Sequence, residues 1–140
     1  MEANNGDTRH TGGCRCGAIL YAAIGAHHGT SLCHCRSCQL SSGAHALAWV
    51  IFQEDRVTMT AGKPAIHISS PGVERGFCSA CGTSLTYWRQ NRPGFFDFTT
   101  ASLDNPDALP PSKEIWTCQR LPWAKGDPEL PQFAEFSRPT

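Results

Sequence analysis

Cysteine sets the chemistry available to this chain: there are eight, and seven of them fall into two sets. Cys14 and Cys16 lie in GGCRCGA, and Cys78 and Cys81 in GFCSACGTSL, two close pairs each followed directly by glycine. Four thiolates can surround zinc tetrahedrally at about 2.3 Å each, and a pair one or two residues apart supplies two ligands from one tight turn. Gly17 and Gly82 let the backbone fold back beneath the metal. The rival arrangement is disulfides, but adjacent pairs of this kind bridge poorly within themselves. Read as ligands, these four cysteines hold a structural zinc. Its binding energy, of order 10 kcal/mol or more, is comparable to the whole net stability of a small domain.

The second set is denser. LCHCRSCQLSSG places Cys33, Cys35 and Cys38 within six residues, close enough for one turn to aim three sulfurs at a single point. Three protein ligands leave a fourth position open, which is the mark of a catalytic or ligand-binding zinc rather than a structural one. Three thiolates make the metal electron-rich, a poor generator of hydroxide and a good partner for a soft incoming sulfur. A thiol substrate and a labile metal follow. Two other arrangements stay open: His34 or Cys118 completing a second structural site, or three reactive thiols without metal. If Cys33 and Cys35 face the metal, an extended backbone turns His34 away from it. Cys118 reads as a small buried apolar residue in a strand.

The elements that must position these groups read as short strands. The 140 residues suit one domain, and 13 Gly and 10 Pro with 17% charged residues favour strands joined by turns over long helices. Strand character runs through Ala18 to Ile24, Ala44 to Phe52, Val57 to Thr60, Ala65 to Ser69, Thr83 to Trp88, Phe95 to Ala101 and Lys113 to Thr117. Turns at Ala61 to Pro64, Ser70 to Gly72 and Asn91 to Gly94 argue for antiparallel pairing. Arg36 to Ser42 allows one short helical turn. The expected organisation is a loose leader over 1–12, a zinc-binding domain over 13–136 and a tail over 137–140. Trp116, Leu121 and Trp123 pin the proline-rich C-terminal part to the surface.

Composition narrows the partners. Lys plus Arg equals Asp plus Glu, 12 against 12, so no general attraction to nucleic acid or an anionic membrane is expected. The first residues lack the apolar centre of a secretory signal, and the longest apolar run, Ala46 to Phe52, is too short to span a bilayer. The expected setting is cytoplasmic, where cysteines serve as metal ligands or catalytic thiols rather than disulfides. Oligomeric state stays open.

GGCRCGAILY, CHCRSCQLSSGA, SPGVERGFCSACGTSLTYW and IWTCQRLPW together resemble the glutathione-dependent formaldehyde-activating enzyme family, which also includes the centromere protein V domain. The resemblance runs from about Gly12 to Phe133. It implies a mainly β fold of coiled antiparallel sheets around a structural zinc on Cys14, Cys16, Cys78 and Cys81, with a second zinc on Cys33, Cys35 and Cys38. It also implies an activity, the joining of formaldehyde to glutathione to give S-hydroxymethylglutathione, a carbon-sulfur lyase reaction in reverse. Glutathione carries two carboxylates, so a cationic rim is expected, and Arg36, Arg75 and Arg89 are the nearest candidates in sequence. His45 and His67 are candidate proton carriers. One departure is plain: Glu114 stands where many members carry histidine before Ile-Trp. Two readings from other classes remain, a zinc-stabilised interaction module and a thiol-based redox or metal sensor.

Overall fold

The computed structural model describes residues 8–137 and is mainly β, with one α-helix and two sheets. The strands are β1 (Arg9–Gly13), β2 (Leu20–Ile24), β3 (Gly29–Cys33), β4 (Leu47–Gln53), β5 (Val57–Ala61), β6 (Ala65–Ser70), β7 (Val73–Phe77), β8 (Ser84–Arg89), β9 (Phe95–Thr99) and β10 (Glu114–Ile115), with α1 (Arg36–Ser42) between β3 and β4. A small sheet has the order β1-β2-β5. A large one runs β10-β3-β4-β9-β8-β7-β6. All pairs are antiparallel except the short β10–β3 pair, which is parallel. That exception follows from the long connection between β9 and β10, which brings the chain back along the outer side of β3.

Side-chain alternation explains the two cores. Successive residues of a strand face opposite sides of a sheet. From β4, Val50 and Phe52 enter the main core beside Tyr21, Leu85 and Phe98, while Trp49 and Ile51 face the other way. From β9, Phe96 and Phe98 enter that core and Phe95 and Asp97 do not. Tyr21 stacks on Phe98 with ring centroids 3.8 Å apart, joining the small sheet to the large one. Cys14 and Cys78 border this core, so the four-cysteine set lies against the contact between the sheets.

Several expectations are corrected. The leader read over 1–12 begins outside the described residues, but Arg9–Gly13 is strand β1, paired along its length with β2. Gly12 is required there, since a Cβ would come within 2.4 Å of the Tyr21 hydroxyl. The turn at Ala61 to Pro64 closes no hairpin; it carries the chain from the small sheet to the large one. The turns after β6 and β8 do close hairpins. Cys118 is exposed on a short 3-10 turn, Thr117–Gln119, rather than buried in a strand. No helix among the described residues is long and apolar enough to cross a membrane.

Candidate functional site

The four sulfurs of Cys14, Cys16, Cys78 and Cys81 lie within 4.8 Å of one another, and so do those of Cys33, Cys35 and Cys38. Both groups can hold a metal ion. In the first, Cys14 and Cys16 Sγ are 3.6 Å apart and Cys16 and Cys78 Sγ 3.8 Å apart. A tetrahedron with bonds of about 2.3 Å has edges of about 3.8 Å, so these two separations match those of a zinc site. Backbone amides of Ile19 and Cys81 donate to Cys14 Sγ and Cys78 Sγ at 3.3 and 3.4 Å, fixing the sulfurs. Gly17 and Gly82 take φ of +80° and +83°. A Cβ at either would meet nothing within 4 Å, so it is the left-handed backbone and not crowding that calls for glycine.

The trio is built on a strand end and a helix start. Cys33 ends β3, Cys35 is the N-cap of α1 and accepts from the Cys38 amide at 3.3 Å, and Cys38 follows one turn on. The trio shares its protons unevenly. Cys35 is drawn well down, first by hydrogen bonding from Cys33 and then from Cys38, while Cys33 is pushed up, first by Cys35. One thiolate is therefore easy to form, and three together need a compensating cation, which a soft divalent metal supplies. Arg75 supplies part of that charge, with Nη1 at 3.6 Å from Cys38 Sγ and its guanidinium 5.0 Å over the Tyr87 ring.

These three thiols open onto a cavity of about 860 Å³ on the face of the large sheet opposite the main core. The alternation that sends Val50 and Phe98 inward puts Trp49, Ile51, Phe95 and Asp97 in its wall, and Tyr87 and Arg89 join them from β8. Ile115, Trp116 and Phe136 close one side. Trp116 adopts φ +55°, a left-handed conformation rare for a bulky residue, and packs edge-on against Phe136 at 5.3 Å. Asp97 pairs with Arg92, yet burial raises its carboxyl to about 6.

Of the sequence candidates, Arg75 and Arg89 line this cavity together with all three thiols, whereas Arg36 is exposed and borders a neighbouring groove. Neither His45 nor His67 lines it; His45 is exposed against Trp123 and His67 is exposed on β6. His34 is buried and turned from the trio, its Nε2 2.6 Å from Glu114 Oε1. Glu114 thus has a structural role. It also accepts from Arg120 at 3.2 Å and from the Asp127 amide at 2.6 Å. Burial works against its charge, but the Asp127 amide, His34 and Arg120 outweigh it and hold the carboxyl at about 2. Sequence reasoning missed Trp49, Tyr87, Arg92, Lys113 and Trp116 as cavity residues. For Trp49 and Tyr87 the signal was present, since period-two alternation places them with Ile51 and Arg89 on one face.

A Schizosaccharomyces pombe protein named an uncharacterized lyase is 35% identical over 80 residues, 56% of each chain, so the match spans little more than half of that relative. A crystal structure of a Rhodobacter sphaeroides protein shares the fold, with a TM-score of 0.56 at 19% identity over 67% of this chain and 87% of the other. The family model described as glutathione-dependent formaldehyde-activating enzyme matches residues 9–119, a stretch that takes in both cysteine sets and every cavity strand. The chain belongs to the glutathione-dependent formaldehyde-activating enzyme family.

Proposed function

We propose that the chain is a zinc-dependent carbon-sulfur lyase that adds a thiol reversibly to formaldehyde or another small aldehyde. The observation that carries this reading is that Cys33, Cys35 and Cys38 converge at the floor of an accessible cavity, leaving one side of their common point open. Glutathione, the thiol of the family's name, is the first substrate to test. In the forward direction the thiolate sulfur attacks the carbonyl carbon. A carbon-sulfur bond forms, the C=O π pair becomes an alkoxide lone pair, and a proton from water completes the S-hydroxymethyl product. A zinc ion bound by the trio would lower the pKa of an incoming thiol, so that thiolate is present at neutral pH. The chain's own groups do the rest. Arg75 and Arg89 draw an anionic thiol inward, and the aromatic wall lines its path to the trio. Cys14, Cys16, Cys78 and Cys81 hold a second, structural zinc, and a reducing cytoplasmic setting is part of the proposal. The test is ligand exchange. Glutathione added to protein with cobalt at the second site should shift the cobalt absorption bands. An unchanged spectrum at millimolar glutathione removes the basis for the activity.

A further inference from the structure

The cavity's own chemistry narrows the thiol. Resting on the thiol-binding reading above, we infer that the best substrate is a thiol with a flat apolar body ending in a carboxylate, more apolar than a tripeptide. The walls carry the first half of the argument. Trp49, Tyr87, Phe95, Trp116 and Phe136 surround the approach to the trio, and Trp49 and Tyr87 pack at 5.7 Å with their rings tilted by 55°. Aromatic faces favour flat apolar or aromatic guests. A peptide brings amide groups that are costly to bury without partners. Among the described residues, the lining offers a peptide's amides few uncharged hydroxyls, those of Ser31, Tyr87 and Ser137, while Asp97 is already held by Arg92. At about 860 Å³ the space falls within the range of cavities that engulf a drug-sized ligand.

Charge carries the second half. Among the described residues, neither Arg75, Arg89 nor Lys113 is ion-paired with a carboxylate, although all three line the cavity. Arg75 stands beside Cys38 at the floor. Arg89 lies at the rim, its guanidinium 4.0 Å over the ring of Phe136, which is 46% exposed. Its buried Nε has no hydrogen-bond partner. A ligand whose sulfur reaches the trio therefore meets aromatic surface and, at Arg89 beside the exposed Phe136, a cation with no carboxylate ion-paired to it.

Calorimetric titration of the zinc-loaded full chain tests this with four probes: glutathione, para-(mercaptomethyl)benzoate, benzyl mercaptan and the sulfur-free para-toluate. The expected order places para-(mercaptomethyl)benzoate at least about tenfold tighter than glutathione, with benzyl mercaptan between them. Arg89→Gln should close most of the gap between the carboxylated and neutral aryl thiols, and Arg89→Lys should restore it. Glutathione binding as tightly as the aryl carboxylate, or an unchanged gap in Arg89→Gln, overturns the inference even if cobalt spectra respond to thiols. If cobalt spectra ignore every thiol while para-toluate still binds more tightly than glutathione, the cavity assignment stands and the thiol chemistry fails.

Discussion

At the scale of single residues, Glu114 shows how a buried carboxylate can acquire a firm structural role. It is 1% exposed, and its carboxylate collects His34, Arg120 and the Asp127 amide. His34 sits between Cys33 and Cys35, and Gln39 Nε2 donates to the His34 carbonyl at 2.9 Å, so the same cluster fixes the loop that carries the trio. Glu114→Ala strands buried donors, and removal of one member of a buried pair typically costs about 3 to 5 kcal/mol. The expected loss is about 3 kcal/mol, read as a lower urea midpoint for the zinc-loaded protein. Glu114→Gln keeps an acceptor and should lose less; an unchanged midpoint in both would show that the cluster contributes nothing. The His34 contact was not legible from sequence, because it lies 80 positions from Glu114 and the parallel pairing of β10 with β3 brings the two together.

At the scale of elements, the cysteine spacing and the short-strand pattern were readable, and the missing strands fail for identifiable reasons. Gly29–Cys33 carries the first ligand of the trio and invited reading as a motif rather than as a strand. Val73–Phe77 interrupts its apolar residues with Glu74, Arg75 and Gly76; Gly76 is there because a Cβ would come within 2.1 Å of Thr86 Oγ1. Strand alternation also delivers a charge, Asp97, to the cavity face of β9. Burial raises its carboxyl to about 6 from 3.8. Between those values the folded chain binds more protons than the unfolded one, so stability falls as pH rises through that window. A difference of about two units corresponds to about 3 kcal/mol by pH 7. Zinc ligation moves stability the opposite way over the same range, so the useful quantity is a difference between variants. Relative to the wild type, Asp97→Asn should gain about 2 kcal/mol between pH 4.5 and pH 7.5, followed by urea unfolding at each pH. A constant difference across that range would place the Asp97 carboxyl at its ordinary value.

For the whole molecule, the proposed function gives the two cysteine groups different labour, one holding the sheets together and the other meeting a ligand. Cys14 and Cys16 follow β1, while Cys78 and Cys81 follow β7, so the four-sulfur group clamps segments of the small and large sheets beside the Tyr21 and Phe98 stack. A clamp between distant segments exists only in the folded chain, and its binding energy is folding energy. The trio is local instead: Cys33, Cys35 and Cys38 come from one stretch whose path is already set by β3, α1 and the Gln39 and Glu114 contacts. Loss of metal there should leave the sheets paired. Cys35→Ser is therefore expected to lower zinc from two per chain to about one with the far-ultraviolet dichroism retained, whereas Cys78→Ser should lose the fold, since an interaction of order 10 kcal/mol exceeds what most small domains hold in reserve. Metal analysis and dichroism on the same samples decide it. If Cys35→Ser loses both zincs and the fold, the trio is a second clamp and no vacancy for a substrate thiol need exist; if Cys78→Ser keeps its fold, the sheets are held by the aromatic core alone.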